Sequence, residues 1–161
     1  MNWRRYWEHQ ARREDPYKQV GRIADLPVNA EMLDHITRYI VSQIDLKRDD
    51  RLLDVCCGNG LLTERLARSC HRVTGIDFSA FQIKQASQSK PTNVQYIRGD
   101  ALDITSLTEG RYDKIVCLFS FQYFDSKVKG FELIQQMKQV LKSSGTIFLS
   151  DIPDSARRHV F

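Results

Sequence analysis

The chain has 161 residues, enough for one domain with a real core, and folding could remove ~70% of the surface its unfolded form exposes. Hydrophobic residues make up 42% and charged residues 27%, the balance of an ordinary globular domain and not of a disordered chain. The net charge of +4 is modest, no run of about 18 apolar residues is long enough to span a membrane, and the N-terminus lacks the apolar stretch of a signal peptide, so the expected location is cytoplasmic.

In chain order, positions 1–31 read as an N-terminal helical segment. Trp3, Trp7 and Ala11 recur every four residues, and Asp15-Pro16 would end that helix. Two exposed tryptophans are unfavourable, so the segment should pack on something, as a lid over a site or against the sheet edge. Arg4, Arg5, Arg12, Arg13, Lys18 and Arg22 concentrate here, but Glu8, Glu14 and Asp15 are interleaved. That is the pattern of a solvated helix, and nucleic acid is not the expected partner.

From position 32 to 161, helical patterns alternate with short apolar runs, which implies βαβ units and a doubly wound α/β domain with a mainly parallel sheet. Met32–Ile44 places Leu33, Ile36, Ile40 and Ile44 at helical spacing. The first strand is Leu52–Cys56, followed by a helix over Leu61–Ser69. The second is Val73–Asp77, after which Ser79-Ala80-Phe81-Gln82 has the spacing of a capping box opening a helix to Ser89. Val94–Arg98 is a third strand. Asp113–Phe119 is a fourth, with the unbroken apolar run of a strand buried on both faces. A helix over Phe131–Leu141 and a turn at Ser143-Ser144-Gly145 lead to a fifth strand, Thr146–Ser150.

Cys56, Cys57, Cys70 and Cys117 form no CxxC pair and have no histidine at zinc-ligand spacing. They read as reduced, buried thiols, and no metal is expected.

Ligands of parallel α/β sheets bind at the carboxyl ends of the strands. The first strand here ends in Asp54-Val-Cys-Cys-Gly58-Asn59-Gly60, whose glycines let backbone approach a ligand. The second ends in Asp77, a carboxylate able to accept from both hydroxyls of a ribose. The third ends in Gly99-Asp100-Ala101, an acceptor suited to an exocyclic amine, and the fourth runs into the aromatic rim Phe119-Ser-Phe-Gln-Tyr123. Any one element could be a plain turn or helix cap; their order on consecutive strands points to a nucleoside cofactor. The dinucleotide pattern G-x-G-x-x-G fails at Thr63, and no P-loop Gly-Lys-Ser/Thr occurs. A ligand with ribose and adenine but no phosphate fits better.

These segments resemble the motifs of class I S-adenosylmethionine (SAM)-dependent methyltransferases. Leu52-Leu-Asp-Val-Cys-Cys-Gly-Asn-Gly-Leu61 is similar to their first motif, Thr74-Gly-Ile-Asp-Phe-Ser79 to the second and Arg98-Gly-Asp-Ala101 to the third. Tyr112–Phe119 and Leu141–Phe148 are similar to the fourth- and fifth-strand motifs. The Asp-Val-Cys-Cys-Gly and Gly-Ile-Asp-Phe-Ser pieces resemble those of ubiquinone/menaquinone C-methyltransferases, a likeness that fades after the fourth strand.

The resemblance implies SAM as cofactor and methyl transfer to a small-molecule acceptor by in-line displacement. It implies that Asp54, Cys56, Gly58, Asn59 and Gly60 shape the methionine pocket, and that Asp77 holds the ribose with Phe78 against the adenine. Asp100, flanked by Gly99 and Ala101, would accept from the adenine amine, and Leu118 and Phe119 would offer backbone near the sulfonium. Cys56 stands where the motif usually has its first glycine. None of His9, His35, His71 and His159 falls at the fourth-strand exit, so no catalytic base is named; Tyr123, Asp125 and Asp151 are within reach of it. A non-catalytic SAM-binding subunit and a nicotinamide-dependent oxidoreductase are the alternatives. The family's sheet has seven strands, so the fifth strand here is expected to be an apolar edge, in a C-terminally truncated chain or one covered by a second copy in a homodimer.

Overall fold

A computed structural model describes residues 2–20, 22–23, 26–88 and 90–152; Ser89 and His159 lie outside these. Five parallel strands form one sheet in the order β5-β4-β3-β6-β7, with β3 Arg51–Val55, β4 Arg72–Asp77, β5 Val94–Arg98, β6 Tyr112–Cys117 and β7 Leu141–Leu149. A short antiparallel pair, β1 Arg22–Ile23 and β2 Leu26–Pro27, precedes it. The helices are α1 Trp3–Gln10, α2 Ala30–Gln43, α3 Leu61–Leu66, α4 Ala80–Ala86, α5 Ile104–Leu107 and α6 Lys127–Val140. Among the described residues no helix is long and apolar enough to cross a membrane.

The sheet is apolar on both faces, as the unbroken runs required. Leu52, Val73, Val94 and Val116 pack with Ile40 of α2, Ile44 just after it and Leu66 of α3 on one side. Leu53, Val55, Ile76 and Ile115 pack with Ile104, Leu133, Met137 and Val140, from α5 and α6, on the other. The chain starts at the central β3, winds outward through β4 and β5, then returns to β6 on the opposite side of β3. Loops leaving β3 and β6 therefore diverge, and the crevice between them is where such a sheet can admit a ligand.

Element ends differ from the expected ones for local reasons. Helix α2 starts at Ala30 and not Met32 because the Asn29 side chain accepts from the Met32 backbone amide at 2.9 Å. Helix α6 starts at Lys127 and not Phe131 because Ser126 caps Lys129. Helix α4 stops at Ala86 instead of running to Ser89, and the last turn expected in α3 is the 3-10 turn Ala67–Ser69. Strand β7 begins at Leu141, but its pairing jumps from Tyr112↔Leu141 to Lys114↔Thr146, so Ser143–Gly145 is an excursion between two paired stretches. Among the described residues it pairs with β6 alone, at the sheet edge.

Candidate functional site

Glycine governs the bend after β3. Gly60 caps α3 at φ +82°, and a side chain there would collide with the Tyr96 hydroxyl. Gly58, at φ +55°, has nothing within 4 Å of where a Cβ would stand, and it lines a cavity of about 560 Å³ at the strand ends. Cys56, at φ +61°, takes a backbone conformation that suits glycine, held at a cost of roughly 1–3 kcal/mol. Across the crevice Phe119 does the same at φ +56°, with its amide donating to Ser150 Oγ at 2.9 Å. Strained backbone thus stands at both strand exits flanking the crevice.

Two carboxylates sit beneath this bend. Asp54, on β3, is 2% exposed and accepts from Thr63 Oγ1 at 2.6 Å. Burial pushes its carboxyl up to about 7, opposed by the Thr63 hydrogen bond and reinforced by the charge of Asp77. Thr63, where a dinucleotide motif would carry glycine, is thus the partner of this acid. Asp77, at the end of β4, is also buried, and burial raises its carboxyl above the usual range. Its two oxygens accept the backbone amides of Ser79 at 2.9 Å and Gly58 at 3.0 Å, tying the second strand end to the first. A carboxylate offers about four acceptor sites, so each oxygen keeps one free.

At the far side, Asp100 caps the turn after β5, accepting from Leu102 N at 3.1 Å. Its other oxygen accepts from Arg4 Nη2 at 2.8 Å, and the Arg4 guanidinium lies 5.1 Å from the centre of the Phe78 ring. Helix α1 therefore lies over the crevice, which Trp3, Arg4 and Trp7 help to line. Trp3 and Trp7 pack on Tyr123 with ring centres 4.7 and 5.1 Å apart.

Of the twelve residues singled out from sequence, ten line the cavity: Asp54, Cys56, Gly58, Asp77, Phe78, Gly99, Asp100, Ala101, Leu118 and Phe119. Asn59 and Gly60 do not. Gly60 turns away into α3, and the buried Asn59 amide donates to Pro16 O at 2.9 Å and to Gln19 Oε1 at 3.0 Å, anchoring the N-terminal segment. The Cys56 thiol is pushed up by its contact with Cys117 and by burial, and burial raises Cys57, so both stay protonated. Tyr123 and Asp125 face the cavity, whereas Asp151 accepts from Ser150 Oγ at 2.6 Å. Sequence reasoning missed Arg4 and Gln82 as cavity residues. For Arg4 no local signal exists, since its partners lie 74 and 96 positions away.

The methyltransferase domain family model matches residues 52–145. The chain is 31% identical over 123 residues to an uncharacterized methyltransferase of Schizosaccharomyces pombe, covering 75% of this chain and 47% of that one. It is 30% identical over 127 residues to a ubiquinone biosynthesis O-methyltransferase of Coxiella burnetii, covering 77% and 52%. The chain thus spans about half the length of these curated relatives. Among solved structures, the N-methyltransferase NodS of Bradyrhizobium japonicum, determined with S-adenosyl-L-homocysteine, superposes with a TM-score of 0.74 at 22% identity, over 92% of this chain and 72% of that one. That likeness concerns the fold.

Proposed function

The chain belongs to the class I SAM-dependent methyltransferase family, and from that premise we propose that its cleft binds SAM and presents the cofactor's methyl group to a small-molecule acceptor. One observation carries the reading. The ends of β3, β4, β5 and β6 converge on a single cavity in which Gly58, Asp77, Asp100 and Phe119 share a wall. The residues fit the cofactor in shape and in charge. Gly58 leaves open the space a side chain would fill, and the buried carboxylates of Asp54 and Asp77, which have no salt-bridge partner among the described residues, match a ligand carrying a sulfonium and an ammonium.

In this reading Asp77 accepts from the ribose hydroxyls with its remaining lone pairs, and Phe78 lies along the adenine. Asp100 accepts from the adenine amine once Arg4 yields or shares its oxygen. Asp54 faces the cationic methionine end, where a positive charge favours its ionised form. The cofactor supplies a methyl on a good leaving group, so the chemistry asked of the protein is alignment and exclusion of water. Trp3, Trp7, Phe119 and Tyr123 form an aromatic wall suited to a partly apolar acceptor, and α1 covers it from solvent. Burial raises the Tyr123 phenol, so at neutral pH it stays protonated.

Calorimetric titration with S-adenosylhomocysteine and, separately, with NAD tests the cofactor. Binding of the first alone is expected; binding of NAD alone would return the oxidoreductase reading. Transfer of a radiolabelled methyl from SAM into a small-molecule extract tests catalysis, and binding without any transfer would leave a SAM-binding subunit.

A further inference from the structure

A second cavity, of about 500 Å³, opens where the first turns of α1 meet the end of β5, lined by Asn2, Arg4, Arg5, Glu8, Phe78 and Arg98. It shares Asn2, Arg4 and Phe78 with the cleft but none of the residues at the β6 exit, so it adjoins the Phe78 side. Its lining carries three positive charges and one negative. Arg4 pairs with Asp100 at 2.8 Å, whereas among the described residues neither Arg5 nor Arg98 has a carboxylate within ion-pair distance. Both are exposed. The Arg98 guanidinium is steadied by its Nε, which donates to the Phe78 carbonyl at 3.4 Å and leaves the terminal N–H groups for another acceptor. Helix α1 adds its own field, because its N-cap Asn2 is part of the wall and its first turn holds no acid. Like charges gathered in one hollow repel, and an anion that bridges them relieves the repulsion.

We propose that this hollow binds a phosphate-type dianion, held between Arg5 of α1 and Arg98 of β5 with Arg4 beside them. Guanidinium forks match the oxygens of a phosphoryl group bidentately, and a dianion balances the net charge of the lining, where a single carboxylate would not. The site has a mechanical consequence. Helix α1 roofs the cleft and is tied to the β5 end by the exposed Arg4–Asp100 pair. A phosphate bridging Arg5 and Arg98 is a second tie across the same seam, so it holds the roof down over the cleft's occupant. By linkage, that occupant tightens phosphate binding by the factor with which phosphate tightens its own. This coupling rests on the SAM reading; the anion site does not.

The test is calorimetric titration of the full chain with inorganic phosphate and with glycerol phosphate at about pH 8, where both are dianions, at an ionic strength held constant with sodium chloride. Expected is saturable binding at one site, weakened by about tenfold in Arg5→Gln and in Arg98→Gln and unchanged in Arg12→Gln, which removes a charge outside the hollow. Tighter binding of the ester assigns the site to a phosphorylated small molecule, and tighter binding of the inorganic ion to free phosphate. Stopped-flow release of S-adenosylhomocysteine should slow by about two- to fivefold with phosphate in the wild type, the worth of one exposed tie, and not in Arg98→Gln. No saturable phosphate binding overturns the site while sparing the SAM reading, as does an equal loss in all three variants, which would be a general effect of charge. Phosphate binding that leaves release unchanged overturns the second tie. Phosphate binding by a protein that does not bind S-adenosylhomocysteine overturns the SAM reading and leaves the anion site standing. Both tested arginines are exposed, so each variant should melt as the wild type does without phosphate, and either one alone carries the test if the other fails to fold.

Discussion

The floor of the cleft, at the ends of β3 and β4, and its roof, carried by α1, differ in how their polar groups are held. On the floor Asp54 and Asp77 are 2% and 7% exposed, and each accepts hydrogen bonds from neighbouring strand-end loops or helices. On the roof the Arg4 and Asp100 side chains are 62% and 34% exposed, and they meet in one ion pair. Exposed pairs of that kind contribute about 0–1 kcal/mol and are screened by salt. A ligand must therefore adapt to the floor, while the roof adapts to the ligand. In the proposed reading, recognition belongs to the buried loops and access to the N-terminal helix.

The contrast is broken most severely from below. Gly60→Ala sets a methyl against Tyr96 at a left-handed φ and should destabilise the fold by about 2–5 kcal/mol in urea melts. Gly58→Ala, with open space ahead of it, should lose about 1–2 kcal/mol of stability yet weaken S-adenosylhomocysteine binding well over tenfold. Equal melting of the two variants would mean that the bend does not divide support from binding in this way.

Asp77→Asn keeps one acceptor oxygen and loses the charge. It should weaken cofactor affinity by about 1–3 kcal/mol, and an unchanged affinity in a folded variant removes the ribose assignment. Alanine would strand both the Gly58 and the Ser79 amides, whereas asparagine strands one of them against its own NH2 group.

Asp54 makes a smaller, pH-dependent difference. Its carboxyl is raised from 3.8 to about 7, so the free fold holds an extra proton between those values. The group's contribution to stability of the free protein is accordingly full below about pH 4 and is lost as pH rises towards 7. Binding a cation has the opposite preference, since it favours the ionised form. Affinity for SAM should fall as pH drops from 7.5 to 5.5, approaching about tenfold per unit, and Asp54→Asn should flatten that slope. A flat wild-type profile would place the cationic end of the cofactor elsewhere.

The smallest effect is expected on the roof. Arg4→Ala removes a surface ion pair and a ring contact worth about 0.5–1 kcal/mol each. Melting should hardly change, whereas stopped-flow binding of S-adenosylhomocysteine should quicken by about two- to fivefold and lose part of its dependence on salt. Slower binding would make Arg4 a ligand contact and not a latch.

What could be read from the sequence divides along the same line. The floor is built from short-range signals: a strand followed by glycines and an acid at the next strand end. Strand windows fell within one or two residues for β3 to β6, most plainly for β3 and β4, whose inner residues are buried on both faces. The roof depends on contacts between Arg4 and residues far along the chain, which no periodicity encodes; the spacing of Trp3 and Trp7 showed only that the helix must pack somewhere. Thr63 was read by what it failed to be, a glycine, and its hydrogen bond to Asp54 needed the turn of α3 to become visible. Gln82 was assigned to a cap because spacing cannot tell that Asp77 would take the Ser79 amide first.

The central claim is that one adenosine lies across Gly58, Asp77 and Asp100, and a crystal structure of the protein with S-adenosylhomocysteine tests it most directly. Ribose hydroxyls are expected within hydrogen-bond distance of Asp77, with adenine along Phe78 and the Arg4 guanidinium shifted or shared at Asp100. An adenosine seated away from Asp77, with the Arg4–Asp100 pair undisturbed, would contradict it.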